Sequence, residues 1–298
     1  MAIIELQNVT KDYGDRRGIF NIDLSIESGE AFGFVGTNGA GKTTTIRHLM
    51  GFLKPHIGTV KIKNLDAWHD AAEIKQWIGY IPGEIAFPDV KTGWDFIHQQ
   101  ADLLQLMDLS FANELIERLQ LDPSANIKRM SKGMKQKTAI VVALMANAPI
   151  LILDEPTTGL DPLMRAEFIQ IIKDEKAKGK TIFMSSHMFE EIEETCDKVA
   201  MIKEGKIITI KSISTIMSND NQQFIIEFSN EQECTRFMQE KIDSVAISNT
   251  TASVNIENNT LNKFLAILST YQFDNLTEQK HTLQEQFYHI YSGGPSHD

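Results

Sequence analysis

Gly36-Thr37-Asn38-Gly39-Ala40-Gly41-Lys42-Thr43 has the spacing of a complete phosphate-binding P-loop. It follows Ala31-Phe32-Gly33-Phe34-Val35, an apolar run that reads as a buried parallel strand. It opens into Thr44-Thr45-Ile46-Arg47-His48-Leu49-Met50-Gly51, whose apolar spacing and closing glycine predict a helix with its C-cap. Strand, glycine loop and helix, in that order, form the context in which such a loop works. The glycines let successive backbone N–H groups turn inward, and the helix N-terminus adds positive potential for a phosphate. The cradle is then residues Gly36 to Thr44, with Lys42 reaching the β- and γ-phosphates and the Thr43 hydroxyl a ligand for Mg²⁺.

Working outward, Ile150-Leu151-Ile152-Leu153-Asp154-Glu155 is a second apolar strand, ending in two carboxylates. Successive side chains on a strand point to opposite sides, so Asp154 is expected to serve Mg²⁺ while Glu155 addresses an attacking water. A third strand, Thr181–Met184, leads to Ser185-Ser186-His187. Strands alternating with helices imply a parallel sheet with the phosphate loop at its carboxyl edge. Earlier, Ile3–Leu6 and Ile22–Ile26 alternate as strands between turns at Gly14-Asp15 and Ser28-Gly29. Residues 90 to 145 read as mostly helical, with Phe96, Leu103, Leu104, Leu115, Ile116 and Leu119 on apolar stripes. A hairpin of Val199–Lys203 and Lys206–Ile210 closes this part around Glu204-Gly205. Glu190, Glu191, Glu193 and Glu194 read as the solvated face of a helix whose inner face carries Phe189, Ile192, Cys196 and Val199.

A chain of 298 residues suits two domains, and 42% apolar content is ample for a sizeable core. Its net charge of −11 argues against a general nucleic-acid binder, whose affinity would rest on a basic surface. Met1 to Glu5 lack the pattern of a signal peptide, and the two cysteines, Cys196 and Cys234, suit a reducing cytosol. The greasy stretch from Thr138 to Leu153 is broken by Asn147 and Pro149 and followed by acids, so it reads as a buried helix and strand rather than a membrane span. Any membrane role is therefore expected through a partner. After Gly205 neither glycine nor proline occurs until Gly293, which marks a boundary near residue 215. Beyond it the order reads strand (Gln223–Phe228), helix (Glu231–Lys241), strand (Ser244–Ser248), strand (Ala252–Glu257), helix (Leu261–Tyr271) and strand. That order predicts a small ferredoxin-like α+β domain over 216–291, closed by a helix Leu283–Tyr291, with 292–298 a disordered tail. It carries no glycine cradle or metal-ligand cluster and reads as a docking or regulatory module.

Taken together, residues 1 to about 215 resemble the nucleotide-binding subunit of an ABC transporter. The resemblance implies an α/β P-loop NTPase of the ABC type with a helical subdomain over about 88–145, binding ATP with Mg²⁺. It aligns Tyr13 with the aromatic that stacks on adenine, and Met130-Ser131-Lys132-Gly133-Met134 with a signature that usually reads Leu-Ser-Gly-Gly-Gln. Ser131 and Gly133 remain at their places, and Ser131 would cap a helix whose N-terminus faces the ATP of an opposite subunit. Asp161, in Thr158-Gly159-Leu160-Asp161, matches the dimer-contacting loop, and His187 the histidine at the γ-phosphate. Ile81-Pro82-Gly83-Glu84 departs from the family, which carries a glutamine here; Gly83 has no side chain to offer a metal or a water.

The roles implied are Lys42 and His187 stabilising transferring charge, Thr43 and Asp154 holding Mg²⁺, and Glu155 as base. Implied partners are a second ABC ATPase domain, in a homo- or heterodimer, and integral membrane permease subunits. That would place the chain in the cytoplasm, peripheral on the inner face of the cell membrane, with no nucleic-acid partner. The C-terminal domain and altered signature look most like ATPases of bacterial multidrug, lantibiotic and peptide exporters, and more narrowly that of the staphylococcal phenol-soluble-modulin exporter. The alternatives are a soluble ABC ATPase switching on ribosomes or DNA, and a regulatory nucleotide sensor. The former usually brings a second cassette, a coiled coil or basic extensions, none of which is in the sequence.

Overall fold

Three short, wholly buried strands, apolar except for polar residues at their ends, set the architecture. They are Ala31–Val35, Ile150–Asp154 and Thr181–Ser186, each buried along its full length. Strands apolar on both faces belong in a sheet covered on both sides. In this computed structural model, which describes residues 2–217, 221–240, 242–257, 260–279, 282–285 and 287, they lie together in a six-stranded sheet. Its order is Lys206–Ser212, Lys198–Lys203, Ala31–Val35, Thr181–Ser186, Ile150–Asp154, Ile78–Ile81. All neighbours are parallel except the closing hairpin, whose turn residues Glu204 (φ 49°) and Gly205 (φ 76°) both have positive φ, as a two-residue hairpin loop requires.

A four-stranded antiparallel sheet, in the order Gly18–Glu27, Ala2–Asp12, Ile57–Ile62, Leu65–Asp66, shares its core with the first. Ile22, Leu24 and Ile26 from it meet Ile46 and Leu49 of the helix Lys42–Leu49, and Phe32, Phe34 and Phe183 of the parallel strands. Phe183 is stacked on Phe32 with ring centroids 6.2 Å apart and tilted against Phe34 at 5.4 Å. The helical stretch holds Gly93–Leu103, Ser110–Arg118 and Lys132–Met145, the first opened by a Thr92–Asp95 capping box. Leu115, Ile116 and Leu119 are buried as expected, but Leu103 is 73% exposed and Leu104 43%. The helix ends at Leu103 and the chain turns at Gln105 (φ 55°), so the stripe has no further turn to join. The helix Phe189–Thr195 likewise stops short: Cys196 is already extended, and Val199 is buried from a strand rather than a helix.

The chain divides into Met1–Ile213 and Ser214–Asp298. In the second unit the strands run Ser244–Ala246, Thr251–Glu257, Asn221–Phe228, Phe273–Gln279 across an antiparallel sheet, with helices Glu231–Phe237 and Leu261–Leu268 as the crossovers. First and third strands at the centre, in β-α-β-β-α-β order, is the ferredoxin-like arrangement. Both helices end sooner than their spacing implies. Tyr271 leaves the helix to pack its ring 5.3 Å from Phe237 and 6.3 Å from Phe228. The expected helix Leu283–Tyr291 beyond residue 287, and the expected tail 292–298, lie outside the described residues. Among the described residues no helix is long and apolar enough to cross a membrane.

Candidate functional site

Register brings the chemistry together. Val35 pairs with Ser186, and both Phe34 and Asp154 pair with Ser185, so three neighbouring strands end in step. The next residue along each is Gly36, His187 or Glu155. Gly36 admits no side chain, since a Cβ there would stand 2.5 Å from the Ile202 carbonyl oxygen. Gly39 (φ 80°) and Gly41 (φ 114°) take left-handed conformations that carry the loop over into the helix Lys42–Leu49. Ala40 is buried and anchors the loop, its N–H donating to Thr37 O at 3.1 Å and its carbonyl accepting from Gly205 N at 2.9 Å. Thr37, Asn38 and Gly39 stand exposed above it. No side chain caps the helix, and its N-terminus opens on the cleft through Lys42, Thr43 and Thr44. First-turn amides without side-chain partners make an anion site.

Lys42 is only 5% exposed; its ammonium donates to Gly36 O at 2.7 Å and lies 3.2 Å from Glu155 Oε1. The other Glu155 oxygen, Oε2, is 3.3 Å from Nδ1 of His187, which is half-exposed. Glu155 is thus the carboxylate between the P-loop lysine and the histidine. Its backbone is left-handed (φ 48°), and its N–H donates to Ser185 O and Oγ, both at 3.1 Å. Asp154 is fully buried. Its Oδ1 accepts from Ser185 Oγ at 2.6 Å, while Oδ2 is buried with no hydrogen-bond partner. Gly83 flanks that oxygen so closely that a Cβ would lie 3.0 Å from it. Burial pushes the Tyr80 phenol up to about 12, and the charge of Asp154 adds to the effect. A buried anionic oxygen without a partner suits a hard divalent cation, which takes oxygen ligands.

The cleft over the loop is of ≈ 1430 Å³, and its walls include Tyr13, Arg16, Arg17 and Lys206 besides Glu155 and, from the P-loop, Asn38, Gly39 and Gly41 to Thr44. Tyr13 presents an exposed ring there. Ser131, Gly133 and Asp161 are not on its walls. Ser131 caps the helix Lys132–Met145, accepting from Met134 N at 3.2 Å, and Asp161 caps Pro162–Ala177, accepting from Met164 N at 3.0 Å. Gly133 sits against the next loop: a Cβ there would be 2.8 Å from Gly159 O. Glu84 is exposed and does not line the cleft.

Three residues have parts that the sequence reading missed. Ser185 joins Asp154 to Glu155. Gln136 donates to Pro156 O at 2.6 Å, pinning the loop after Glu155. Glu191, expected on a solvated face, is 1% exposed and accepts from Thr157 and Ser186. It lies four residues before the buried Thr195, whose hydroxyl donates to its carbonyl at 2.6 Å. That spacing places Glu191 on the inner face, a signal the run of acids obscured.

Known proteins are similar to this chain in sequence and in fold. The ABC transporter family model matches residues 19–158. The bacitracin transport ATP-binding protein BcrA of Bacillus licheniformis is 32% identical over 81% of this chain and 80% of its own length. The linearmycin resistance ATP-binding protein LnrL of Bacillus subtilis is 32% identical over 76% of this chain and 75% of its own. Among solved structures, an ATP-binding subunit of an ABC transporter superposes with a TM-score of 0.66 at 27% identity, covering 72% of this chain and 91% of that one. A dimeric bacterial ABC transporter cassette gives 0.63 at 25% identity, covering 70% and 98%. With the phosphate loop, paired carboxylates and histidine on adjoining strand ends, this chain belongs to the ATP-binding subunits of the ABC transporter family.

Proposed function

We propose that this chain binds ATP with Mg²⁺ in the P-loop cleft, pairs head-to-tail with a second ABC ATPase domain, and hydrolyses the nucleotide to drive export through separate membrane subunits. The observation that carries the reading is the Glu155 carboxylate, held 3.2 Å from the Lys42 ammonium and 3.3 Å from His187. Phosphoryl transfer needs charge neutralisation and an oriented water rather than covalent help from the protein. Lys42 and His187 supply positive or polar contacts to the terminal phosphate, and Glu155 orients or deprotonates the water. The residues fit Mg²⁺: Asp154 Oδ2 is buried with no hydrogen-bond partner, and Thr43 lines the cleft. When bound there, the ion neutralises phosphate charge. Gly36 to Thr44 cradle the phosphates, Tyr13 stacks on the adenine, and Ser131 and Gly133, with Asp161 at the dimer contact, address the partner's nucleotide.

The domain assignment is the ATPase over 1–215, its helical part over 88–145, and a docking or regulatory module over 216–291. The protein works on the inner face of the cell membrane, attached through its permease. Relatives named for bacitracin transport, linearmycin resistance and Nod factor export support an exporter. The cargo is a drug or an amphipathic antimicrobial or cytolytic peptide, in keeping with the resemblance to multidrug, lantibiotic and peptide exporters and, more narrowly, to the phenol-soluble-modulin exporter. The test is ATP-dependent peptide movement in vesicles carrying the co-expressed membrane subunits. Movement is expected with the native chain and lost with Lys42→Ala; export that persists in the variant refutes the role.

A further inference from the structure

Glu191 is a buried carboxylate that the proposed chemistry leaves unused. Its two oxygens are taken by two different segments: Oε1 accepts from the Thr157 hydroxyl at 2.5 Å, and Oε2 from the Ser186 hydroxyl at 2.8 Å. Thr157 stands two residues after Glu155, and Ser186 immediately before His187. Ser186 Oγ also accepts from Met188 N at 2.9 Å, which closes the backbone around His187. The Arg165 guanidinium, on the helix after the Thr158–Asp161 loop, comes within 3.5 Å of Oε1. One anion therefore spans the two backbones whose side chains meet as the Glu155–His187 pair.

We infer that Glu191 is a positioning residue, which sets the separation of Glu155 and His187 and couples it to the loop Thr157–Asp161. The inference rests on the hydrolytic roles proposed above for Glu155 and His187. A carboxylate suits the task because it accepts from both hydroxyls at once. A glutamine offers one oxygen and an amide donor, so one hydroxyl must turn round, and Ser186 Oγ is already an acceptor for Met188 N. An alanine frees both loops.

The test is steady-state and single-turnover ATP hydrolysis by the full-length chain carrying Glu191→Gln or Glu191→Ala, each alone and combined with His187→Ala. Displacing a reacting group by about 1 Å costs on the order of 10²-fold, so kcat is expected to fall about 10- to 100-fold in Glu191→Ala and less in Glu191→Gln. The KM for ATP should stay within about threefold, since the P-loop is untouched. In the His187→Ala background the further loss should shrink to about twofold or less, because the pair to be positioned is already broken. Equal losses in both backgrounds, a fall in nucleotide affinity matching the fall in rate, or normal turnover in both variants would each overturn the inference. Glu191→Gln preserves volume and decides the matter if Glu191→Ala does not fold. If His187→Ala and Glu155→Gln themselves turn over normally, it is the hydrolytic reading that fails.

Discussion

Ser185→Ala removes a single hydroxyl that serves both carboxylate residues of the site. That hydroxyl donates to Asp154 Oδ1 at 2.6 Å and accepts from Glu155 N at 3.1 Å. Glu155 N keeps its bond to Ser185 O, so the backbone loses little. Asp154 loses much more. It is fully buried, Oδ2 has no partner, and the Ser185 bond is the one it accepts among the described residues. A hydrogen bond to a buried charge is worth roughly 1.5–3 kcal/mol. Loss of about 2 kcal/mol is therefore expected at neutral pH, without nucleotide or divalent ions. For a unit of the size of Met1–Ile213, this lowers the midpoint of unfolding by about 4–8 °C. Asp154→Asn provides the control, because its amide is neutral and the same hydroxyl then contributes only about 0.5–1.5 kcal/mol. Scanning calorimetry of the wild type, both single variants and the double variant should give a coupling of about 1 kcal/mol. Identical losses in the two backgrounds, or a loss under about 0.5 kcal/mol in the wild-type background, would show that the hydroxyl is not stabilising a buried charge.

Glu155→Gln should lower ATP hydrolysis by about 10²–10⁴-fold and leave binding of a fluorescent ATP analogue within a few-fold; ordinary turnover would remove Glu155 from the base's role. His48 predicts a dependence on pH. Its Nδ1 donates to Thr44 O at 2.7 Å, Nε2 is buried without a partner, and burial lowers its pKa from 6.5, outweighing the raising effect of Thr44, with smaller lowering contributions from Lys11 and His56. Because the folded pKa is the lower one, the unfolded chain takes up the proton first, and stability present above pH 6.5 is lost as pH falls below it. The slope is at most about 1.4 kcal/mol per pH unit, and His48→Asn should abolish that part of it; parallel curves for variant and wild type from pH 8 to 5 would contradict this. Burial pushes the Cys196 thiol up to about 12, so at pH 8 iodoacetamide should label it at least about 100-fold more slowly in the native chain than in urea, as read by peptide mass spectrometry. Comparable rates would place the thiol at the surface.

The parts of the site that one stretch of backbone supplies were legible in the sequence. The P-loop needs a run of glycines ahead of a helix, and nothing distant decides it. The strands ending at Val35, Asp154 and Ser186 announced themselves as apolar runs, and the polar residues beyond them marked the carboxyl edge. What remained hidden depends on which segments meet. Ser185 reads as an ordinary residue before a histidine until its strand is paired with the one carrying Asp154. Glu191 looks like one acid among several until Thr157 and Ser186 are seen to converge on it. Leu103 failed in the other direction: its spacing was right for a stripe, but its helix ended there.

The positive φ of Glu155 sets two selective pressures against each other at one residue. A bulky L-residue in that conformation is held against its own steric preference, at a cost of roughly 1 kcal/mol, whereas glycine or asparagine would rest there with less strain. Neither has an acid group to offer. On the role proposed for Glu155, substitutions that relax this backbone would lower turnover, and they would also take the carboxylate from beside the buried Lys42 ammonium, so the released strain is offset by a cation left without its counter-charge.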